Sequence, residues 1–550
     1  MRVGVTLAEY AALDSLKRFT TTTCESLAAG NRLVFLPREY PFVSAEDQER
    51  LAEEFLRGCD VVVGMLDPGV LAARRRLGAR VPVAAFMHGE LPVGGWILRD
   101  HMADLTSDDI LLVACSSEVD IARRLVKNAT VRVLPFAYAE DAFYPLDEEE
   151  RRGARARLGF GEEDRIVLYS GRLTPEKGVH RLLALFDVVA RRVPDAHLVL
   201  AGTAPTENGA MNLFGVEPVA LRNTYARLIA RLERPERVHQ VSGDDRRLRE
   251  LYNVADVVVN LTLNPDENFG MAQVEAMACG TPVVGTAWGG LKDTVVDGVS
   301  GWRVSTTPTA TGIKLSWWEA ANRVASLLED RGAREAFRPA CIAAAERYTG
   351  GRFAAAMDEI LAAAVRGLDR PAKPLQPTRF AEELWAVCDL RWPGPLFRRG
   401  PRSEELHRTL VTPFTGVSPA HAPAWEEVQP DQVLSLATPV HPGGGESVRL
   451  DDVSYTSPVE VPEAHRGAVH AVLARMRERP ALRVAELEAA VGEPGLADAL
   501  AWMLEAGLVL RTLPVPGWMD PAEVGRRAAE PALVVREIGR GDADLILYTP

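Results

Sequence analysis

Short apolar runs rich in β-branched residues alternate with longer, helically periodic segments along the first 145 residues. The apolar runs are RVGVTL, RLVFLP, DVVVGM, VPVAAFM, ILLVACS and TVRVLPF. Runs such as DVVVGM, VPVAAFM and ILLVACS are apolar at successive positions and do not alternate with polar residues, so they predict strands that are buried on both faces. Helical segments such as residues 45–57 lie between them, so a parallel sheet covered by helices is expected.

A second series of the same kind begins near residue 165. Its apolar runs are RIVLYSG, AHLVLAG, RVHQVSG, DVVVNLT, TPVVGTA and SGWRVST. The two series predict an α/β fold with two Rossmann-like domains in tandem. Ligands of such sheets bind beyond the carboxyl ends of the strands, so two domains that face each other are expected to form a cleft for a two-part ligand.

The pattern divides the chain into four predicted regions. A helical run at 353–368 is expected to close the second domain, and a Pro- and Trp-containing stretch follows it. The predicted regions are a Rossmann-like domain at 1–148, a second Rossmann-like domain at 149–368, a linker or irregular subdomain at 369–460, and a module with a tail at 461–550.

The helical pattern returns between residues 462 and 514. Three short helices are predicted there, followed by the apolar run LVLRTL: 463–479, 484–491 and 495–506. This order is typical of a winged-helix module. The third helix carries Asp498 and Glu505 and no Lys or Arg. Since a DNA-recognition helix needs basic side chains, the module is expected to bind a protein or peptide.

The composition and charge of the chain exclude several classes of function. With 550 residues the chain exceeds the size of one typical core, and 47% hydrophobic with 25% charged residues describes globular protein. The net charge of -13 argues against nucleic acid or an anionic membrane surface as a partner. The amino-terminal stretch MRVGVTLAEYAAL lacks the pattern of a signal peptide, and no run of 18 apolar residues occurs, so a cytoplasmic protein without a membrane span is expected.

The six cysteines are far apart in the sequence and form no C-x-x-C pair. They are expected to be reduced, buried thiols, as is usual in the cytosol. They are Cys24, Cys59, Cys115, Cys279, Cys341 and Cys388.

The first motif with chemical content is YSGRLTPEKGVHRLLALF, in which a strand runs into a turn and then a helix. Gly171 and Gly178 let the backbone come close to a ligand, while Arg172 and Lys177 offer positive charge to the oxygens of a diphosphate. The alternative is that the two cations are ordinary solvated surface residues.

The second motif, NPDENFGMAQVEAMACGTPVVGTAWGG, separates Glu267 from Glu275 by seven residues. A turn at Asn268, Phe269 and Gly270 is expected to lead into a helix that begins at Met271. The free N–H groups of that first turn and the helix dipole favour a bound phosphate. Glu275 alone could be explained by the dipole preference for acidic residues near a helix start.

These motifs, with the run SGDDRRLRELYNVADVVVNLT between them, resemble the donor-binding domain of the family 4 retaining glycosyltransferases, whose E-x7-E motif matches Glu267 and Glu275. The resemblance is dense over residues 160–305 and looser over 1–365. It implies a GT-B fold and a metal-independent transfer of a sugar from a nucleotide-diphosphate-sugar donor with retention of configuration. No cofactor beyond this co-substrate is implied.

The resemblance also implies roles for individual residues. Arg172 and Lys177 would contact the diphosphate, Glu267 the donor sugar and Glu275 the ribose. The remaining residues expected to bind the donor are Gly171, Asn268 and the backbone of Phe269, Gly270 and Met271. Catalytic roles fall to Glu267, Arg172, Lys177 and His88.

His88 lies in VPVAAFMHGELP, just after a strand, where the family has a histidine that reaches toward the transferred sugar. A structural histidine is the alternative. The chain departs from the family after its first strand, where TLAEYAALDSLKRFTTTT has no glycine-rich loop. A D-x-D sequence at residues 542–544 lies outside both predicted domains and is interpreted as chance, so no metal site is expected.

Several functions stay open from the sequence. The acceptor could be a small molecule, a glycan, a peptide or a protein. A GT-B phosphorylase or synthase, and a non-catalytic nucleotide-sugar-binding scaffold, are the alternatives to a transferase. A hydrolase with two catalytic carboxylates is disfavoured because the diphosphate cations would then lack a purpose.

Overall fold

A computed structural model describes most of the chain. The chain divides into two compact units. The described residues are 1–7, 14–37, 39–87, 89–174, 177–202, 218–264, 267–310, 312–369, 371–387, 401–417, 429–437, 440–442, 447–450, 458–479, 481–513 and 515–520. Unit 1 comprises Met1–Glu140, Pro265–Met271 and Glu346–Phe414. Unit 2 comprises Asp141–Asn264, Ala272–Ala345 and Thr415–Pro550.

The strands and helices are numbered here in chain order. The strands are β1 Arg2–Thr6, β2 Arg32–Phe35, β3 Val61–Gly64, β4 Val83–Phe86, β5 Ile110–Val113, β6 Val126–Lys127, β7 Thr130–Val133, β8 Arg165–Ser170, β9 Ala196–Ala201, β10 Val238–Val241, β11 Val257–Asn260, β12 Val283–Thr286, β13 Gly301–Val304, β14 Thr306–Thr309, β15 Gly312–Leu315, β16 Gln376–Pro377, β17 Val433–Leu436, β18 Val440–Pro442, β19 Ser447–Leu450, β20 Pro458–Glu460, β21 Ala481–Arg483 and β22 Val509–Thr512. The α-helices are α1 Asp14–Ala28, α2 Ala45–Arg57, α3 Pro68–Leu77, α4 Trp96–His101, α5 Ser116–Leu125, α6 Glu148–Arg157, α7 Val179–Arg192, α8 Pro218–Ala230, α9 Asp245–Val254, α10 Met271–Ala278, α11 Leu291–Thr294, α12 Trp317–Glu329, α13 Arg331–Ala345, α14 Gly350–Arg366, α15 Arg379–Val387, α16 Pro401–Val411, α17 Arg466–Glu478, α18 Val484–Val491 and α19 Leu496–Glu505.

Unit 1 is built on a six-stranded parallel sheet in the order β2-β1-β3-β4-β5-β7. Every residue of β3, β4 and β5 is buried. Their continuous apolar sequence is the reason, because both faces of such a strand must be covered. The six strands predicted in this half of the chain are all present.

The helix predicted to close the second domain packs in unit 1 instead. In α14, Phe353, Met357 and Leu361 lie in one hydrophobic core with Val3 and Val61 of the unit 1 sheet. Its apolar face recurs at helical spacing and is buried against this sheet, so α14 belongs to unit 1 although it follows unit 2 in sequence. The predicted boundary near residue 368 therefore differs from the structure.

Unit 2 contains the second six-stranded parallel sheet, in the order β10-β9-β8-β11-β12-β13. The strand order reverses between β8 and β11, as in a doubly wound fold. Such a reversal opens a crevice at the carboxyl ends of the two strands. The fold class predicted from the sequence, two Rossmann-like sheets with helices, is confirmed.

The module near the carboxyl terminus has its own core. Helices α17, α18 and α19 cover a three-stranded antiparallel sheet in the order β21-β17-β22, and the buried core includes Val472, Leu487 and Leu500. The three helices and final strand lie where the sequence predicted them. Their identification as a winged helix stays a prediction.

This module packs within unit 2. The Ala310 N–H donates to the Glu505 carbonyl at 2.9 Å, and the hydroxyls of Ser316 and Thr512 lie 3.2 Å apart. The region predicted as a linker supplies α15 and α16 to unit 1 and β17 to the module sheet. The module is therefore not an independent appendage.

None of the helices in the described part of the chain combines the length and apolar character needed to cross a membrane.

The five cysteines within the described part of the chain are free thiols, and four of them are buried; Cys388 lies outside the described residues. Burial raises the pKa of the Cys59 thiol to about 11 and that of Cys341 to about 12. Both thiols are therefore protonated and unreactive near neutral pH.

Candidate functional site

The turn after β8 lies at the carboxyl edge of the unit 2 sheet and requires glycine. Gly171 has φ +148° and Gly202, after β9, has φ +159°. A Cβ atom on Gly202 would lie 1.9 Å from the Gly171 carbonyl oxygen, so the two strand ends approach too closely for any side chain. The Tyr169 hydroxyl donates to the Arg172 carbonyl at 2.7 Å and holds the turn.

The loop that carries the two predicted cations leads from this turn into α7. Arg172 and Lys177 are both half-buried, and the Lys177 N–H donates to the Thr174 carbonyl at 3.1 Å. Gly178 has φ +72°, and a Cβ there would lie 2.7 Å from the Leu261 carbonyl at the end of β11. The loop is thus held against the end of β11, at the point where the strand order reverses.

Glu275 belongs to a buried hydrogen-bonded group at the same edge. The Tyr252 hydroxyl donates to Glu275 Oε2 at 3.0 Å, and the Ser170 side chain hydrogen-bonds the same hydroxyl. Burial, and then the neighbouring Glu275, raise the pKa of Tyr252 well above its usual range. Tyr252 therefore remains a donor and ties Glu275 of α10 to the last residue of β8.

The chain between β11 and the predicted turn is fixed by buried polar contacts. Asn260 Oδ1 accepts from the Thr262 N–H at 3.0 Å, and the Thr286 hydroxyl donates to the Thr262 carbonyl at 2.6 Å. The Trp288 indole N–H donates to the Asn264 carbonyl at 2.7 Å. Because all of these groups are buried, each bond is costly to break, which makes this strand end rigid.

The segment from Glu267 to Gly270 is buried and groups with unit 1. The Phe269 ring packs against Phe136 and Tyr348, with ring centroids 5.3 and 5.2 Å away. Gly270 has φ +83°, a conformation that suits glycine at a tight turn. These aromatic contacts hold the turn through the Phe269 side chain and do not involve its backbone N–H and C=O groups.

Helix α10 begins at Met271, as predicted, and no carboxylate occupies its first turn. The first N–H groups of a helix have no partner within it, and the helix dipole is positive there. The site residues predicted from the second motif thus lie on the buried turn and on the helix that follows it. His88 lies outside the described residues, as does the D-x-D at residues 542–544.

Tyr252 and Ser170 were not among the site residues predicted from the sequence. Tyr252 occupies an ordinary position on an amphipathic helix, so no local signal separates it from a core residue. Ser170 directly precedes Gly171 in the first motif. It could have been added to the predicted site because it is the last residue of β8, whose carboxyl end lies at the site.

A further buried glutamate, Glu90, was not predicted either. It lies in the loop after β4 in unit 1, where Oε1 accepts from the Ile97 N–H at 2.5 Å. Among the described residues Oε2 has no hydrogen-bond partner. Burial raises the pKa of Glu90 to about 7. A charged residue beside His88 in an otherwise apolar run is the signal that could have identified it.

Within the described residues, no group of three or more His, Cys, Asp or Glu side chains is placed to hold a metal ion. The cations of the first motif and the N–H groups of α10 are therefore the anion-binding features that can be named at this edge of the unit 2 sheet.

Comparison with known proteins gives one family match. Residues 150–342 match the family described as Glycosyl transferases group 1. This segment includes the whole unit 2 sheet and both motifs.

Two curated relatives illustrate the similarity. The D-inositol 3-phosphate glycosyltransferase of Xylanimonas cellulosilytica is 30% identical over 300 residues, which cover 54% of this chain and 66% of the relative. The mannosylfructose-phosphate synthase of Agrobacterium fabrum is 35% identical over 168 residues, 30% of this chain and 34% of the relative. The chain thus spans between one third and two thirds of the length of these relatives.

Among solved structures, a glycosyltransferase from Rickettsia africae matches with a TM-score of 0.53 and 13% identity. The match covers 66% of this chain and 98% of the other chain. At this identity the likeness concerns the fold.

Proposed function

Since residues 150–342 belong to the group 1 glycosyltransferases, we propose that this protein transfers a sugar from a nucleotide-diphosphate donor to an acceptor, without a metal and with retention of configuration. One observation carries the proposal. The loop with Arg172 and Lys177 and the hydrogen-bonded Glu275–Tyr252–Ser170 group lie at the same edge of one sheet, where its strand order reverses. That edge is where doubly wound sheets bind nucleotides.

The proposed chemistry depends on the leaving group. Breaking the bond between the sugar and the diphosphate places negative charge on the diphosphate, which fixed positive groups must stabilise. Arg172 and Lys177 supply that charge from a loop held in place by Gly178. The N–H groups at the start of α10 add donors that need no reorganisation during the reaction.

Glu275 is proposed to accept hydrogen bonds from the donor ribose, while Tyr252 orients its carboxyl group through Oε2. Glu267, Asn268, Phe269, Gly270 and Met271 are proposed to surround the sugar and phosphates. Gly171 keeps the strand end open for the close approach of the ligand. His88 remains a proposed contact to the transferred sugar, following the family resemblance.

The alternatives differ in the acceptor or in whether transfer occurs. A phosphorylase or synthase would use the same donor site, and a scaffold would bind the donor without turnover. The names of the two relatives describe enzymes, which favours catalysis. The acceptor class stays open, and the module formed by α17, α18 and α19 is proposed to bind it or a partner protein.

The test begins with calorimetric titration of the full chain with a panel of nucleoside diphosphates. The matching nucleotide-sugars are then assayed for slow hydrolysis or transfer with and without EDTA, and the anomer of the product is assigned by NMR. Saturable binding, turnover unaffected by EDTA and a retained anomer are expected. Loss of activity in EDTA that magnesium restores, or an inverted product, would overturn the mechanism.

The role of the module is tested by point substitutions and not by truncation, because the module packs within unit 2. The exposed Asp498 of α19 can be changed to Arg, with Glu488→Arg on α18 as a matched control. Transfer to the natural acceptor should fall in the first variant while donor hydrolysis persists in both. Unchanged transfer in the α19 variant would remove this face from the acceptor hypothesis.

A further inference from the structure

A cavity lined by arginines opens at the amino edge of the unit 2 sheet, opposite the proposed donor site. Its walls include Arg165 at the first position of β8, Asp256 just before β11 and Pro282 just before β12. Helices α6 and α13 supply the rest of the wall. Because β8 has six residues at about 3.3 Å each, the cavity lies roughly 17 Å along the strands from the donor edge.

The cavity has a volume of about 320 Å³, within the range of small-molecule sites. Seven arginines and five carboxylates line it, so its charge is positive by two. Burial lowers the pKa of three of these arginines, called the deep arginines: Arg155, Arg334 and Arg338. The other four are called the outer arginines: Arg151, Arg152, Arg165 and Arg331.

The deep arginines are held in place by the backbone. Arg155 donates to the Gly161 carbonyl at 2.7 Å and Arg338 to the Leu146 carbonyl at 3.0 Å. Arg334 donates to the Leu327 carbonyl at 2.7 Å and pairs with Asp256 at 3.0 Å. These bonds fix the guanidinium groups, so they are pre-organised rather than free to swing into solvent.

The positive charges are crowded. Burial lowers the pKa of Arg155, Arg334 and Arg338, and in each case a neighbouring arginine of the same cavity lowers it further. For Arg155 and Arg334 the neighbouring Asp256 raises the pKa by more than any single arginine of the cavity lowers it. For Arg338, in contrast, the repulsion from Arg151 outweighs the attraction of Glu335. The excess of two positive charges on the lining still favours a bound anion.

The outer arginines form weak ion pairs with carboxylates or none, although Arg165 donates to the Glu163 carbonyl at 2.7 Å and Arg152 to the Glu148 carbonyl at 3.4 Å. Arg151 lies 3.6 Å from Glu335, and Arg165 lies 3.6 Å from Glu163, both beyond hydrogen-bond length. Across the described part of the chain, Arg152 and Arg331 form no ion pair with a carboxylate. Both side chains are exposed, and no paired carboxylate offsets their charge.

We propose that this arginine cavity binds a small phosphate-bearing anion at a site separate from the donor site. Several guanidinium groups around a cavity of this size match the oxygens of phosphate groups, which arginine binds through bidentate hydrogen bonds. The ligand class is a metabolite with two or more negative charges on phosphate.

The test uses inorganic pyrophosphate as probe and removes the donor site as a competing explanation. The host is the full chain carrying Arg172→Ala and Lys177→Ala, so binding in the host is independent of the proposed function. Arg152→Ala with Arg331→Ala is then added, and Arg157→Ala, an exposed arginine of α6 outside the cavity, is the matched control. Circular dichroism checks that each variant is folded.

At 150 mM salt, pyrophosphate should bind the host with one saturable site. The Arg152 and Arg331 substitutions should raise the Kd at least tenfold, and Arg157→Ala should leave it within twofold. Citrate, which carries similar charge on carboxylates, should bind more weakly than pyrophosphate. Absence of saturable binding in the host, equal affinity in both variants, or tighter binding of citrate would each overturn the proposal.

Discussion

The two Rossmann-like sheets each place a buried glutamate near their carboxyl edge but surround it differently. In unit 2, Glu275 accepts a hydrogen bond from Tyr252, which is itself bonded to Ser170 of the adjacent strand. In unit 1, Glu90 accepts from backbone N–H groups through one oxygen, and among the described residues its other oxygen has no partner.

The difference separates a pre-organised site from one that responds to pH. A carboxyl group held by a tyrosine keeps its position because moving it would break a buried hydrogen bond. Glu90, with its pKa raised to about 7 by burial, changes its protonation state across neutral pH. The same sheet architecture thus supports a fixed donor edge in unit 2 and a titratable loop in unit 1.

The largest effect is expected from Arg172→Ala and Lys177→Ala in unit 2. Each should lower kcat/KM for a nucleotide-sugar by about ten- to a thousand-fold, because one stabiliser of the leaving diphosphate is lost. Steady-state kinetics would measure it. The control is Arg246→Ala, an exposed arginine on α9. Wild-type kinetics in both site variants would remove the diphosphate assignment.

Glu90→Gln should alter the pH dependence of stability. Burial raises the pKa of Glu90 from its ordinary 4.5 to about 7, so protonated Glu90 favours the folded state. This contribution to stability is complete below about pH 4.5 and is lost as the pH rises through 7. Above pH 7 the variant should therefore gain roughly 3 kcal/mol over wild type, with little gain in acid.

Thermal unfolding of Glu90→Gln and wild type at pH 5 and pH 8.5 measures this difference. Glu488→Gln, on the exposed face of α18, is the control and should track wild type at both values. Parallel curves for Glu90→Gln and wild type would show that Glu90 does not titrate in this range.

Gly178→Ala should weaken unit 2 and the donor loop together. Its φ of +72° and the 2.7 Å approach of a Cβ to the Leu261 carbonyl predict a cost of roughly 2–3 kcal/mol. Gly159 has φ +83° but open space around a Cβ, so Gly159→Ala should cost about 1 kcal/mol. Equal unfolding midpoints for the two variants would contradict the close approach.

The smallest effect is expected from Tyr252→Phe, which removes one hydrogen bond from Glu275. A net loss of about 1 kcal/mol corresponds to a roughly fivefold weaker donor affinity. Tyr144→Phe, at a half-exposed tyrosine of unit 2, is the control. Calorimetry with the preferred nucleoside diphosphate measures both, and an unchanged affinity for Tyr252→Phe would mean that Glu275 is oriented by other contacts.

Much of the fold could be predicted because its signals are local. All twelve strands of the two parallel sheets lie within the strand-like runs predicted from the sequence, although β7 and β10 include polar residues, and α18 begins and ends at the predicted residues. Gly171, Gly178 and Gly270 were expected at turns, and each has a positive φ. These features depend on side-chain polarity and backbone freedom, which neighbouring residues in the sequence reveal.

Long-range packing explains what the sequence did not reveal. The apolar face of α14 can be read from its sequence, but that face is equally able to cover either sheet, and only the shape of the core places it in unit 1. The same holds for the module of α17, α18 and α19, which was predicted as a separate domain and packs within unit 2.

The candidate site shows the same division. Arg172 and Lys177 stand out in the sequence because each adjoins a glycine of a strand-to-helix turn, and Glu267 and Glu275 stand out through their E-x7-E spacing. Tyr252, Glu90 and the seven arginines of the cavity do not stand out, since their surroundings arise from segments far apart along the chain. Hydrogen bonding, burial and mutual repulsion depend on distances across the fold, and a linear pattern of residues contains no such distances.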